Sequence, residues 1–115
     1  MFNYSAYDES QAEFYEIAPA SGLPNGERLF VEIEDQSIVI FNVAGQIFAI
    51  ADLCTHDDGP LGDGELEDHN IICPRHGAEF DIRTGKAVSM PAVIDIPAYP
   101  VKVQDGNIWL GLPKK

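Results

Sequence analysis

Two short motifs hold all the cysteine in the chain and two of its three histidines: Cys54-Thr55-His56 and Cys73-Pro74-Arg75-His76. Each brings one sulfur and one imidazole to a point, and sixteen residues separate His56 from Cys73. Two sulfur and two nitrogen ligands admit two metal readings. One is tetrahedral zinc; the other is a [2Fe–2S] cluster with two Cys on one iron and two His on the other. Each motif supplies one ligand of each kind, so each loop could reach both irons of a two-iron cluster. Classical zinc fingers more often take both cysteines from one element and both histidines from the next. Gly59, Gly62, Gly64 and Gly77 favour the cluster too. Bridging sulfides carry negative charge, and glycines would let backbone N–H groups approach them. Pro74 stiffens the second loop.

The elements that must position these loops read as strands. In Arg28 to Glu34, Leu29, Val31 and Ile33 share one face, while Arg28, Phe30, Glu32 and Glu34 share the other. That is the period of a half-buried strand. Ser37 to Val43 is richer in Ile, Val and Phe and reads as covered on both faces. Ala44-Gly45 turns the chain into a further strand, Gln46 to Ala51. Asp105-Gly106, between Val101-Lys102-Val103 and Ile108-Trp109-Leu110, is a strong hairpin signal. Tyr7 to Tyr15 is the only helical candidate, and it is short; eight prolines break every longer one. The expected fold is all-β, an antiparallel sandwich or barrel. The motifs lie in loops, the first within Asp52 to Asp68 and the second starting at Cys73, where a rigid β scaffold commonly carries function.

A chain of 115 residues supports one domain, residues 1–115. No run approaches the roughly 18 apolar residues of a membrane span. No basic flank and apolar run marks an export signal at the N-terminus, so a cytoplasmic location is expected, with ligand or buried thiols instead of a disulfide. Seven basic against nineteen acidic residues give a formal charge of −12. That balance repels nucleic acid and anionic lipid and suits a partner with a basic docking face.

The stretch Cys54-Thr55-His56, a gap, then Cys73-Pro74-Arg75-His76-Gly77-Ala78-Glu79-Phe80-Asp81 resembles the Rieske iron–sulfur signature. The resemblance continues through Thr84-Gly85, Pro91-Ala92 and the final hairpin, and covers roughly residues 14 to 112. It implies the Rieske all-β domain, with a small cluster-binding subdomain of about residues 52–83 and a third loop at Pro91 covering the cluster. Cys54 and Cys73 would bind the inner iron as thiolates; His56 and His76 would bind the outer iron near solvent. The cofactor would be one [2Fe–2S] cluster, with no catalytic residue in the chain. The resemblance points to a ferredoxin that takes single electrons from a flavin-containing reductase. It would pass them to a terminal oxygenase through weak, electrostatically steered docking.

Departures from the family pattern narrow this. Respiratory and photosynthetic members carry an extra, disulfide-joined cysteine in each cluster loop; here Asp58 and Arg75 stand in those neighbourhoods. High-potential members place a Ser and a Tyr after the second ligand pair, whose hydroxyls bond to sulfur; the matching positions here are Ala78 and Phe80. A low reduction potential is therefore expected. A self-contained oxygenase would need a 2-His-1-carboxylate iron site, which His69 alone cannot build. The remaining alternatives are an accessory subunit, such as a nitrite reductase small subunit-like protein, and a structural zinc domain. His69 reads as part of a polar surface loop, Glu65 to Asn70; Trp109 reads as packing, and Phe80 as packing beneath the cluster loop.

Overall fold

The computed structural model describes residues 12–53, 60–74, 77–89 and 95–113. They form β1 (Ala12–Pro19), a short 3-10 turn (Ala20–Gly22), β2 (Arg28–Ile33), β3 (Gln36–Val43), β4 (Gln46–Ala51), β5 (Leu66–Glu67), β6 (Asn70–Ile72), β7 (Glu79–Asp81), β8 (Ala87–Ser89), β9 (Ala98–Tyr99), β10 (Val101–Gln104) and β11 (Asn107–Pro113). Three antiparallel sheets result, in the orders β1-β11-β10, β2-β3-β4-β9 and β5-β6-β7-β8.

The middle sheet feeds two cores. Side chains alternate along a strand, and β3 is apolar on both faces. Ile38 and Ile40 join Ile108, Leu110 and Leu112 of β11 in one core. Val39 and Phe41 join Ile71, Cys73, Ala78, Phe80 and Ile82 in the other. β4 divides in the same way, with Ala49 and Ala51 on the first side and Ile50 on the second. Each large apolar side chain so enclosed contributes about 1.5–3 kcal/mol. This double burial is why the Ser37 to Val43 run is continuously apolar, whereas β2, at the edge of the same sheet, alternates and leaves Phe30 exposed.

Two-residue turns set the registers within the first two sheets. Ile33 pairs with Gln36, Val43 with Gln46, and Gln104 with Asn107. All the residues of these turns have positive φ: Glu34, Asp35, Ala44, Gly45, Asp105 and Gly106. Such turns match the right-handed twist of the strands they join. Ala44 is an uncommon occupant of this region, and side chains hold its turn. Its N–H donates to Asn25 Oδ1 at 2.7 Å, and the Gly45 N–H donates to Asn42 Oδ1 at 2.9 Å.

Two sequence expectations change. The described part of the helical candidate, Ala12 to Tyr15, is extended and belongs to β1. Its register with β11 slips between Glu16 and Ala18, and this bulge breaks the alternation that would have marked a strand. The polar stretch Glu65 to Asn70 is mostly a tight hairpin of β5 and β6, not simply a surface loop. Its turn residue His69 is half-buried, with its ring edge-on to Phe48 at 5.7 Å between centroids.

Residues 52–97 leave the middle sheet after β4 and return to it at β9. The Ala51 N–H donates to the Pro97 carbonyl at 3.0 Å where the two passages meet. Both Cys–His motifs belong to this excursion in the sequence.

Candidate metal centre

The second motif sits at the tip of the β6–β7 hairpin. Ile71 pairs with Phe80 and Ile72 with Glu79, so Cys73 and Ala78 face each other as the strands end. The Cys73 N–H donates to the Ala78 carbonyl at 2.7 Å, and the Gly77 N–H donates to the Cys73 carbonyl at 3.0 Å. Gly77 adopts φ +76, a conformation that a side chain would disfavour. Cys73, Ala78 and Phe80 are all but fully buried in the same core, so the cysteine roots the loop from below.

The described segments on either side of the first motif are tied together. The Asp52 N–H donates to the Ser37 carbonyl of β3 at 2.9 Å. The Asp52 carboxylate then accepts from the N–H groups of Leu61 at 2.8 Å and Gly62 at 2.6 Å. One side chain thus closes the loop that carries Cys54 and His56. From β2, the Arg28 guanidinium donates to the carbonyls of Gly62 and, at 2.8 Å, Gly64. Leu61, just past the loop, is buried in the core that holds Cys73.

Gly62 and Gly64 are hemmed in by protein neighbours. A Cβ on Gly62 would lie 2.6 Å from the Phe30 ring, and one on Gly64 would lie 1.7 Å from the Ile72 carbonyl oxygen. The segment that follows the first loop is therefore packed directly against the strand that leads into the second.

The return path from the third loop is closed similarly. The Ile96 N–H donates to the Gly85 carbonyl at 2.8 Å, and the Ala87 N–H donates to Asp95 Oδ1 at 2.8 Å. Asp81 organises the β7–β8 turn. Its carbonyl accepts from Gly85 at 2.7 Å, and its carboxylate accepts from the Arg83 N–H at 2.9 Å, from Nε at 3.0 Å and from Nη2 at 2.9 Å. Burial alone would raise the Asp81 pKa. The Arg83 side-chain bonds, its backbone N–H and its charge, with a smaller contribution from His69, outweigh that and hold it below the ordinary carboxylate range. A depressed folded-state pKa means that this contribution is present above the unfolded pKa and is lost as pH falls through the folded one. Asp81→Asn is therefore expected to flatten the acid limb of the stability curve below about pH 4. Urea unfolding between about pH 2.5 and 6 checks this; an unchanged acid limb would contradict it.

Of the four ligands expected from the sequence, Cys73 is described; Cys54, His56 and His76 lie outside the described residues, as does Pro91 of the third loop. The flanks of all three loops are described. Leu61, Cys73, Ala78 and Ile96 share one core, which brings the loop ends to one side of the middle sheet. Sequence reasoning missed Arg28 and Asp52. Arg28 reads there as one more polar residue on the outer face of β2, and its partners lie 34 and 36 residues away. Trp109 is partly buried on β11 and pairs with Glu16 and Lys102, in keeping with packing.

The Rieske [2Fe-2S] domain family matches residues 13–100. The chain belongs to the Rieske [2Fe–2S] family. Among Rieske relatives, the 3-phenylpropionate/cinnamic acid dioxygenase ferredoxin subunit of Escherichia coli (strain K12) is 39% identical over 97 residues, 84% of this chain and 91% of that one. A ferredoxin from Sphingomonas yanoikuyae B1 superposes with a TM-score of 0.79 at 34% identity, covering 88% of this chain and all of the other. A chain in the complex of reduced oxygenase and oxidized ferredoxin in carbazole 1,9a-dioxygenase superposes with a TM-score of 0.80 at 28% identity, covering 89% and 95%. The Rieske cofactor is one [2Fe–2S] cluster, which supplies reversible one-electron chemistry, and the protein is an electron carrier instead of a catalyst.

The residues fit this group. Two Cys and two His are the Rieske donor set. Cys73 is 1% exposed among apolar side chains. A thiolate at that depth would be costly alone, and an iron ion held there would provide the compensating charge.

Proposed function

We propose that this chain passes single electrons from a flavin-containing reductase to a terminal oxygenase, with Cys54 and Cys73 on the inner iron and His56 and His76 on the outer. The observation that carries this reading is the near end-to-end similarity to a dioxygenase ferredoxin subunit, 91% of whose length the chain covers. The solved complex of an oxygenase with a ferredoxin of the same fold supports the choice of acceptor. The chain's own chemistry agrees. Once the two proposed histidines are spent on the cluster, only His69 remains, and it packs on Phe48. A 2-His-1-carboxylate oxygenase site needs one more. The net charge of −12 suits a basic docking face on the partner, and a cytoplasmic location fits the cysteine usage.

The cluster is of low potential in this reading. Reduction makes it more negative, and an O–H donor to sulfur would favour the reduced form. Ala78 and Phe80, both fully buried beside Cys73, have no hydroxyl to offer. One absent charge-assisted bond of ~1.5 kcal/mol corresponds to roughly 60 mV for one electron. The midpoint is expected near the lower end of the roughly −150 to +300 mV Rieske range. Anaerobic titration followed by EPR tests both parts. The expected result is a mixed His/Cys signal with a negative midpoint, and reoxidation of the reduced protein by a ring-hydroxylating oxygenase. A colourless zinc protein, or a midpoint well above zero, would overturn it.

A further inference from the structure

Arg28 belongs to a strand with no metal motif, yet its guanidinium ends on the segment that follows one. It donates to the carbonyls of Gly62 and Gly64 and lies over the Phe41 ring, 5.2 Å from the centroid. Phe41 is fully buried in the core shared with Cys73, so the guanidinium rests on a rigid floor. Gly62 is gripped on both flanking peptides, its N–H by the Asp52 carboxylate and its carbonyl by Arg28. Phe30 covers the same glycine, and Ile72 abuts Gly64. A loop that must hold two ligands within a fraction of an ångström of their metal needs its supporting groups fixed in this way.

We propose that Arg28 is a positioning residue for the cluster, acting through Gly62 and Gly64 on the loop that carries Cys54 and His56. The proposal rests on the Rieske reading of those two ligands. Arg28 has two separable effects. Its hydrogen bonds hold the end of the loop against the middle sheet and so slow loss of the cluster. Its positive charge, held on this side of the sheet, favours the more negative reduced state.

The test compares wild type, Arg28→Met and Arg28→Lys, all purified with the cluster in place. At a temperature where far-UV circular dichroism shows each fold intact, Arg28→Met is expected to release iron to a chelator at least ten times faster than wild type. The loaded fraction should also titrate at a lower midpoint. Lysine keeps the charge but not the planar group stacked on Phe41. It should restore the midpoint while leaving iron release intermediate. Asp52→Ala provides a second way to release Gly62 without touching the guanidinium, and should speed iron release with Arg28 in place. If Arg28→Met does not fold, Arg28→Lys and Asp52→Ala decide: wild-type release rates in both would overturn the proposal. Wild-type release and midpoint in a folded Arg28→Met would also overturn it, as would iron loss that merely tracks unfolding in every variant. A wild-type protein without iron or acid-labile sulfide would instead refute the Rieske reading beneath it.

Discussion

Replacing Cys73 by alanine is expected to give a folded, colourless protein with essentially no iron or acid-labile sulfide. Cys73 is held at the root of the β6–β7 hairpin by hydrogen bonds from its N–H to Ala78 and from Gly77 to its carbonyl, and it is 1% exposed. If it is one of two thiolates on the inner iron, its loss removes half of that iron's protein ligands, and no compensating thiol exists in the chain beyond Cys54. The structural cost is modest. A sulfur-sized void in the core costs about 1–2 kcal/mol, against a typical total of about 5–15 kcal/mol. Iron and sulfide assays, read beside circular dichroism, separate the two effects. Wild-type iron content in Cys73→Ala would remove this residue from the ligand set.

A large loss of stability is expected at Gly85. Its φ is +79, and a Cβ there would lie 1.9 Å from the Ile96 carbonyl oxygen, part of the backbone and unable to swing away. The left-handed conformation costs an alanine about 1 kcal/mol, and forced overpacking adds about 1–3 kcal/mol or more. Gly85→Ala should therefore lose about 3 kcal/mol or more, a fall in Tm of roughly 10–20 °C. Gly106 is the internal control. It has the same φ of +79, but a methyl group there would meet nothing within 4 Å. Gly106→Ala should therefore lose only the conformational part, about 1 kcal/mol. Thermal unfolding of the two variants side by side checks the difference; equal losses would show that the contact with Ile96 is unimportant.

What the sequence revealed and what it hid follow from how far apart the interacting residues lie. β2, β3 and β4 were legible because alternation and double burial are written within each strand, and Asp105-Gly106 because a two-residue turn needs positive φ at both positions. β1 was not, because its bulge between Glu16 and Ala18 disturbs the period. β5 and β6 span two and three residues, too few to show a period at all. The proposed ligands stood out because their cysteines and histidines cluster at short spacing in the sequence. The grip of Arg28 and Asp52 on Gly62 was invisible: an arginine in a half-exposed strand carries no mark of a carbonyl 34 residues on. The glycines were noticed for a different reason from the one the structure gives, since Gly62 and Gly64 make room for Phe30 and Ile72.

The passage at Ala51 and Pro97 has a mechanical consequence. Because the outgoing and incoming backbones touch there, at 3.0 Å, the excursion is a cassette whose two ends meet at one place on its host. Shortened to a tight turn, the chain could still complete the β4–β9 ladder, with Ala49 opposite Tyr99. The host would then present Val39, Phe41 and Ile50 to water, a bare oily face. Grafting such a cassette elsewhere thus demands two things of the recipient: neighbouring antiparallel strands, and a greasy patch of matching shape beneath them.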